Sequence, residues 1–332
     1  MKNALKINKL LFLLTFSFFV ISCDNDDNDA QPLPEELTIV ETAAATPELS
    51  ILVDALTVAD GDLLTTLSGG NFTVLAPTND AFAAFLSANG FASLDEVPTD
   101  VLSNILLNHV ITGSVMSTDL ASAGSGYTTT NATNMDGDNL SLYFTTSSGV
   151  EFNGQSSVVL ADVPASNGIV HVVDAVIGLP TVVTFATSNP RFETLVAALT
   201  RDDLSEDFVS ILSTTDEPSP FTVFAPTNDA FASLLSELGV DSLGDIDVAT
   251  LELTLATHVV VEANVRSGDL TNGMSITTIG DNLTVSLDAG PQLIDLNDRI
   301  ANIIAVDVQA YNGVVHVIDK VVLPQLLSLI HI

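Results

Sequence analysis

The chain has 332 residues, one cysteine, no tryptophan and a formal net charge of −34, because 42 Asp and Glu residues stand against 8 Lys and Arg. So much negative charge repels phosphate backbones and excludes ordinary nucleic-acid binding. The lone thiol, Cys23, cannot form an internal disulfide, and its place near the N-terminus excludes thiol catalysis in the folded part. We expect no cofactor, apart from weakly held divalent cations and a lipid on Cys23.

Residues 1–23 have the pattern of a bacterial lipoprotein signal peptide. Lys2, Lys6 and Lys9 precede an apolar run at 10–21, which suits a signal-peptide core and is too short to span a bilayer. Cys23 then follows in Val-Ile-Ser-Cys, which resembles a lipobox, so we predict cleavage before Cys23 and its lipidation. Acyl chains on this residue would anchor the protein to a membrane. The alternative is an ordinary secretory signal with an incidental cysteine.

Residues 24–36 are predicted to be an acidic tether. Four aspartates lie between 24 and 29, and two prolines follow at 32 and 34. The run has Asp29 at the sixth position, where a calcium-binding loop needs glycine. Its place directly after the cysteine resembles the acidic export tag of Bacteroidetes-type lipoproteins. That resemblance implies a lipid-anchored protein on the outer face of the cell outer membrane.

The C-terminal segment 326–332 comes after the last recognisable motif. Its final six residues, LSLIHI, match a translated transposon end used in sequencing libraries. We therefore interpret the tail as non-native and leave it out of functional argument. A short native apolar tail is the alternative.

Between these ends the chain repeats itself once. FTVLAPTNDAF at 72–82 recurs as FTVFAPTNDAF at 221–231, and NGIVHVVD at 167–174 recurs as NGVVHVID at 312–319. The offset between copies rises from 143 to 149 residues before Phe221 and returns to 143 at Gly280. These shifts indicate six extra residues and then six fewer in the second copy, which we expect in surface loops. Repeats of this length predict two tandem globular domains, 37–181 and 182–325.

The longest repeated motif predicts a strand that leads into a capped helix. Pro77 cannot donate a backbone hydrogen bond, so the strand should end there. Thr78 can cap the helix through its hydroxyl, and Asp80 places a carboxylate at the positive end of the helix dipole. Thr227 and Asp229 repeat this arrangement in the second copy. A structural role accounts for these residues without any ligand.

The remainder of each copy predicts helices first and strands afterwards. Pro98 is expected at the first position of a helix whose apolar face ends at His109. Asp136-Gly137 is typical of a hairpin turn, and the segment 168–177 is apolar on both faces, which predicts a central strand. This order of elements predicts an α+β domain.

Four of the five histidines are paired by the repeat, His109 with His258 and His171 with His316. His109 shares a face with apolar helix residues, which predicts a buried ring bonded to nearby backbone. His171 and His316 lie in apolar strands, and the aspartate three positions after each should face the opposite side. We therefore interpret all four as structural histidines and predict no metal site.

Taken together, these motifs resemble the fasciclin domain, twice in tandem. The resemblance implies that each domain is a wedge of β-strands with helices packed against it. It also implies an extracellular or membrane-anchored protein that serves adhesion without catalysis. In animal members a Tyr-His pair takes part in integrin contact. Here the matching pairs are Asn108-His109 and Thr257-His258, so integrin binding is not carried over.

The sequence leads to three functional hypotheses. The first is a non-catalytic surface lipoprotein whose two domains adhere to a protein or polysaccharide on another cell or in the extracellular matrix. The second is a module that captures glycans, although the absence of tryptophan argues against sugar-stacking platforms. The third is a serine hydrolase. It lacks a Gly-x-Ser-x-Gly elbow and would need a Ser-His-Asp site that only the fold could assemble.

Overall fold

The computed structural model describes residues 36–325. Cys23, the predicted signal peptide, almost all of the acidic tether and the tail at 326–332 lie outside that range, and what was predicted for them stays a prediction. Within residues 36–325, no helix has the length and apolar character needed to cross a membrane. The described part contains two consecutive arrangements of helices followed by strands, which confirms the α+β class.

The first domain consists of six helices and a closed barrel of seven strands. The helices are α1 (Ile39–Ala44), α2 (Ser50–Val58), α3 (Leu63–Gly69), α4 (Asn79–Ala88), α5 (Thr99–Leu107) and α6 (Ser117–Ala123). The strands are β1 (Phe72–Pro77), β2 (Val110–Thr112), β3 (Ser125–Thr133), β4 (Asn139–Thr145), β5 (Glu151–Phe152), β6 (Ser156–Ala165) and β7 (Gly168–Val173). Neighbours in sequence pair in antiparallel fashion, and β7 returns to lie parallel to β1.

The second domain has the same order of core elements but an open sheet. Its helices are α7 (Val182–Ser188), α8 (Glu193–Leu199), α9 (Phe208–Ser213), α10 (Asn228–Leu238) and α11 (Val248–Thr257). Its strands are β8 (Phe221–Pro226), β9 (Val259–Val260), β10 (Ser275–Ile276), β11 (Leu283–Ser286), β12 (Gln292–Ile294), β13 (Ile300–Ala310) and β14 (Gly313–Ile318). The strands lie in the order β10-β11-β12-β13-β14-β8-β9, with β14 parallel to β8.

The repeated strand-to-helix motif folds as its sequence predicts. Strand β1 ends at Pro77, and the Thr78 hydroxyl accepts the Ala81 N–H at 3.2 Å to cap α4. The strand is nevertheless buried on both faces. Val74 packs under the helices, whereas Leu75 points into a separate apolar cluster inside the barrel. Each domain therefore has two cores, one on either side of its central strands.

The segment predicted to be a central strand is confirmed as β7, which lies between β1 and β6. Its first residue, Gly168, has φ = 150°, and a Cβ there would lie 1.9 Å from the Phe72 carbonyl oxygen. Gly313 repeats this geometry in β14, with φ = 151° and a distance of 2.1 Å to the Phe221 oxygen. Only glycine allows the two parallel strands to approach so closely at this position.

Two details of the sequence prediction were wrong. Pro98 is the residue before α5 and not its first helical position. The six-residue deletion in the second copy does not fall in a surface loop. Where the first domain has α6 and the nine-residue strand β3, the second has a three-residue 3-10 turn at Ser267–Asp269 and the two-residue strand β10. Local sequence could not show that the missing residues belonged to a barrel strand.

The two domains pack against each other along strands β4 and β13. Gln309 donates its backbone N–H to the Ser141 hydroxyl at 3.0 Å, and its side-chain oxygen accepts from the Asn134 amide at 3.1 Å. Tyr143 is buried in the apolar cluster of the second domain. Because its second face is covered by the second domain, β4 is buried on both faces.

A second group of contacts extends this interface. The Tyr127 ring lies edge-on to Phe185 with centroids 5.5 Å apart, and its hydroxyl accepts from the Asn189 amide at 3.1 Å. Arg266 forms an ion pair of 2.6 Å with Asp138. Aromatic packing, hydrogen bonds and an ion pair together predict that the two domains are docked and do not move independently on a flexible linker.

Candidate functional site

The motif residues that follow each central strand tie the helices together. In the first domain Thr78 caps α4, and the Asn79 side chain accepts the Ile51 N–H at 2.9 Å and donates to the Pro47 carbonyl at 3.0 Å. Asp80 lies in the first turn of α4, as its sequence position predicts. Asn79 thus links two helices, a role that the sequence interpretation missed.

The second domain repeats these links. Thr227 caps α10 by accepting the Ala230 N–H at 3.3 Å, and Asp229 lies in the first turn. The Asn228 side chain accepts the Thr194 N–H and donates to the Pro190 carbonyl, both at 2.9 Å. Thr and Asn of the Thr-Asn-Asp signature therefore make internal bonds in both copies, while Asp80 and Asp229 are exposed in the first turn of their helices. No ligand is needed to explain the recurrence of Thr and Asn.

His109 is buried at the end of α5 and bonded only to backbone. Its Nδ1–H donates to the Ile105 carbonyl at 2.8 Å, and its Nε2 accepts the Ile177 N–H at 2.9 Å. Burial lowers the pKa of His109 to about 4, although the bond to the Ile105 carbonyl opposes that shift. The ring is therefore a neutral link between the helix and the segment after β7. The sequence predicted the burial and a bond to nearby backbone, but not the link to that segment.

His258 occupies the same place in the second domain. Its Nδ1–H donates to the Thr254 carbonyl at 2.7 Å, and its Nε2 accepts the Val322 N–H at 3.2 Å. Burial also lowers the pKa of His258 to about 4, and the hydrogen bond to Thr254 is the largest opposing effect. Both nitrogens of both rings are thus engaged by backbone groups.

His171 and His316 each lie beside a bulge in the neighbouring strand. The Nε2–H of His171 donates to the Val115 carbonyl at 2.9 Å, and Nδ1 accepts the Asp162 N–H at 3.1 Å. His316 bonds the Val265 carbonyl at 2.9 Å and the Asp307 N–H at 3.4 Å in the same way. Burial lowers the pKa of His316.

Each of these histidines belongs to a Ser-Asp-His cluster. In the first domain the Asp162 carboxylate accepts both the backbone N–H of Ser117, at 2.8 Å, and its hydroxyl, while Asp162 Oδ1 lies 4.0 Å from His171 Nδ1. The hydrogen bonds from Ser117 lower the pKa of Asp162. Ser267, Asp307 and His316 repeat the cluster.

The order of groups in these clusters does not match a nucleophilic site. In a serine hydrolase the hydroxyl donates to an imidazole nitrogen, which the acid orients from the far side. Here the hydroxyl donates to the carboxylate, and both ring nitrogens bind backbone groups. The clusters therefore fasten a strand bulge to the loop beyond β2 or β9 and provide no general base for the serine.

Sequence reasoning did not identify the acid that lies near these histidines. The aspartate three positions later does face away, since Asp174 accepts the Ser157 N–H at 2.7 Å. The acid that approaches His171 is Asp162, nine residues before it, and Asp307 precedes His316 by the same interval. That recurring interval was the available signal. Among residues 36–325, no group of three or more histidine, cysteine or acidic side chains could hold a metal ion.

Comparison with known proteins decides the family. The fasciclin-domain family model matches residues 47–180 and 190–324. The chain belongs to the fasciclin family. Fasciclin domains are known in cell-adhesion proteins and are generally non-catalytic modules.

Relatives of this fasciclin chain include bacterial and animal proteins. Protein sll1483 of Synechocystis sp. is 37% identical over 144 residues, covering 43% of this chain and 73% of the relative. Transforming growth factor-beta-induced protein ig-h3 of Oryctolagus cuniculus is 28% identical over 257 residues, and human periostin is 26% identical over 265. Each of those two alignments covers 77% of this chain, but the chain spans only 35% of ig-h3 and 28% of periostin.

A solved structure also resembles this fasciclin chain. It is a FAS1 domain pair from the insect cell adhesion molecule fasciclin I, with 21% sequence identity and a TM-score of 0.49. The alignment covers 84% of this chain and 97% of the insect one.

Proposed function

We propose that this chain is a non-catalytic surface lipoprotein whose two fasciclin domains adhere to a partner on another cell or in the extracellular matrix. The observation that carries the proposal is that, apart from the exposed Asp80 and Asp229, the polar residues of the repeated motifs are engaged inside the domains as caps, links between helices or strand clamps. Function is then left to the outer surface of a docked domain pair. A surface that binds without catalysis suits adhesion.

The N-terminus supports a place at the membrane. A lipid on Cys23 would anchor the chain, and the acidic segment 24–36 would separate the domains from the bilayer by up to roughly 45 Å if fully extended. The excess of Asp and Glu in the chain keeps such a segment solvated and away from anionic lipid. We place the protein on the outer face of the outer membrane.

Cell fractionation with Cys23→Ala tests the anchor. The wild type should fractionate with membranes and be cleaved when intact cells are treated with protease, whereas Cys23→Ala should be released. Ser22→Ala is the matched control, because a small residue before the cysteine suits a lipobox, and it should stay with the membrane. Retention of Cys23→Ala would contradict the anchor, and a protease-resistant wild type would contradict the outward placement.

Adhesion itself is tested with beads that carry the mature chain. Beads should bind to cells or to matrix-coated surfaces in proportion to the protein on them, and free protein should compete. A glycan array run in parallel distinguishes adhesion from the second hypothesis, glycan capture. Saturable sugar binding without adherence would replace adhesion by glycan capture, and adherence without sugar binding would support the proposal.

A further inference from the structure

The first domain contacts the second domain through one of its ends. The equivalent end of the second domain is exposed. In the first domain this end is formed by α5 and the turn at 134–138. A groove of about 310 Å³ there is lined by α5 and also by Leu179 and Tyr311, which belong to the linker and to the second domain. Arg266 of the second domain pairs with Asp138 at the edge of this end.

The equivalent elements of the second domain are α11 and the turn at 277–281. They form a groove of about 420 Å³ between α9 and α11, which we call the end groove. Leu253 and Ile279 line it and are 44% and 48% exposed. Tyr311 of the second domain lines the counterpart groove, whereas all the residues that line the end groove belong to the second domain itself.

The wall of the end groove is fixed by hydrogen bonds. Ile279 donates its N–H to the Val259 carbonyl at 2.8 Å, and Gly280 donates to the Ala256 carbonyl at 3.2 Å. Asp281 donates its N–H to the Thr257 hydroxyl at 3.3 Å. Because the turn is held directly on α11, a partner would meet a preformed apolar surface and need not order it.

The groove has acidic edges. Glu206 and Glu252 line it, and Asp281 occupies the repeat position of Asp138, the residue that Arg266 contacts in the interdomain interface. The apolar floor of the groove and its acidic rim are together complementary to an apolar side chain that lies next to a cationic side chain. The second domain brings this combination, Tyr311 with Arg266, to the first.

A second copy of the chain does not fit this pattern. The residue before the Asn-Gly of the β6–β7 turn is Ser166, where the second domain has Tyr311, and the residue before the clamp serine is Met116, where it has Arg266. The first domain therefore lacks both side chains that the end groove would receive. Two copies with a formal charge of −34 each would also repel one another.

We propose that the end groove is a docking site for a segment of a partner protein that carries a tyrosine or similar apolar side chain next to an arginine. The apolar side chain lies on Leu253 and Ile279, and the guanidinium lies beside the acids of the rim. The proposal rests on the proposed adhesion for its biological meaning, since it gives the chemistry of the partner. Its test uses purified protein alone, so its failure would leave the anchoring and adhesion experiments unaffected.

Methyl NMR of the purified mature chain provides the test. The probes are two synthetic peptides, one in which tyrosine alternates with arginine and one in which glutamate replaces every arginine. The arginine peptide should shift the methyl signals of Leu253 and Ile279 saturably, and its affinity should fall about tenfold in high salt because the charges are screened. The glutamate peptide should leave both signals in place.

Variants locate the site. Ile279→Ser should weaken binding of the arginine peptide by about tenfold, because it removes an exposed apolar side chain that lines the groove. Ile304→Ser is the matched control, since Ile304 is also 48% exposed but lies on β13 outside the groove. Equal loss in the two variants, shifts confined to other surfaces, or equal binding of both peptides would each overturn the proposal.

Discussion

The two domains share their core and differ in how the sheet is completed. In the first, β3 pairs with β2 at Thr130 and Ile111 and closes the barrel, and the Thr130 hydroxyl donates to the Asn108 side chain at 3.1 Å. In the second, Thr257 replaces Asn108, and the turn at 277–281 packs directly on α11. The repeated motifs thus specify the central strands and their helices, while the unrepeated residues decide how the sheet is completed.

One repeated glycine shows how the same residue serves two purposes. Gly137 lies in the β3–β4 turn with φ = 84° and has open space where a Cβ would be. Gly280, at the same point of the repeat, has no such φ, but a Cβ there would lie 2.4 Å from the Thr257 hydroxyl oxygen. The backbone conformation favours glycine in the first domain, and close packing requires it in the second.

The largest effect is expected where the domains are alike. Gly168→Ala and Gly313→Ala should each destabilise the protein by at least about 4 kcal/mol, because the added Cβ overlaps a backbone carbonyl and φ is unfavourable for alanine. Urea unfolding followed by circular dichroism measures this. Gly69→Ala, at the end of α3 with open space around it, is the control and should not destabilise. If either alanine variant lost less than about 1 kcal/mol of unfolding free energy, the two central strand pairs would not be equivalent.

The second effect is the pH dependence contributed by His109 and His258. Burial lowers the pKa of each folded-state ring to about 4 from an ordinary value of 6.5, so the unfolded chain takes up these protons first. Their contribution to the free energy of unfolding is therefore fully present above pH 6.5. It is lost as the pH falls towards 4, by up to about 3 kcal/mol for each ring. Of the charges near His258, Asp295 raises its pKa and Arg299 lowers it.

Histidine-to-glutamine variants isolate that contribution from the many carboxylates. His109→Gln and His258→Gln should be less stable than the wild type at pH 7.5, and the difference should shrink as the pH falls towards 4.5. Unfolding free energies across this range give the measurement. A difference that stays constant with pH would show that the rings do not remain neutral inside the domains.

Much of the shared core could be predicted because its signals are local. A proline that ends a strand, a threonine that caps a helix, or an apolar run that forms a central strand acts within a few residues of itself. The burial of His109 followed from its helical spacing after Ile105 and Leu106, although α5 itself ends at Leu107. Repetition then identified these features as structural, since the same residues occur at the same points of both copies.

What the sequence did not show depends on contacts between distant residues. Asp162 reaches His171 only because β6 bulges beside β7, and the bulge leaves no local pattern. Closure of the barrel depends on β3 reaching β2, which composition does not reveal. The interface residues Tyr143 and Gln309 lie 166 positions apart, as the difference of their numbers shows, and neither has a repeated partner.

A smaller effect is expected from the glycines that serve different purposes. Gly280→Ala should cost about 2 to 3 kcal/mol because the turn must move off α11, whereas Gly137→Ala should cost about 1 kcal/mol for its positive φ. Asparagine tolerates the left-handed region, so Gly137→Asn should recover most of the loss. Gly280→Asn should be at least as harmful as Gly280→Ala. Thermal unfolding of the four variants makes the comparison, and equal costs for the two alanine variants would refute the distinction.

The smallest effect concerns the ion pair that joins the domains. Arg266 and Asp138 are 39% and 28% exposed, so their coupling should be about 0.5 to 1 kcal/mol at low salt and close to zero at 1 M salt. The Gln309 amide, which donates to Ser141 across the interface, reports on docking through hydrogen exchange. Arg266→Gln should speed its exchange by up to about fivefold at low salt, because 1 kcal/mol corresponds to that factor. Arg201→Gln breaks a pair with Asp203 inside the second domain and should leave this amide unchanged, so a similar acceleration in both variants would mean that the domains loosen through the second domain and not through their interface.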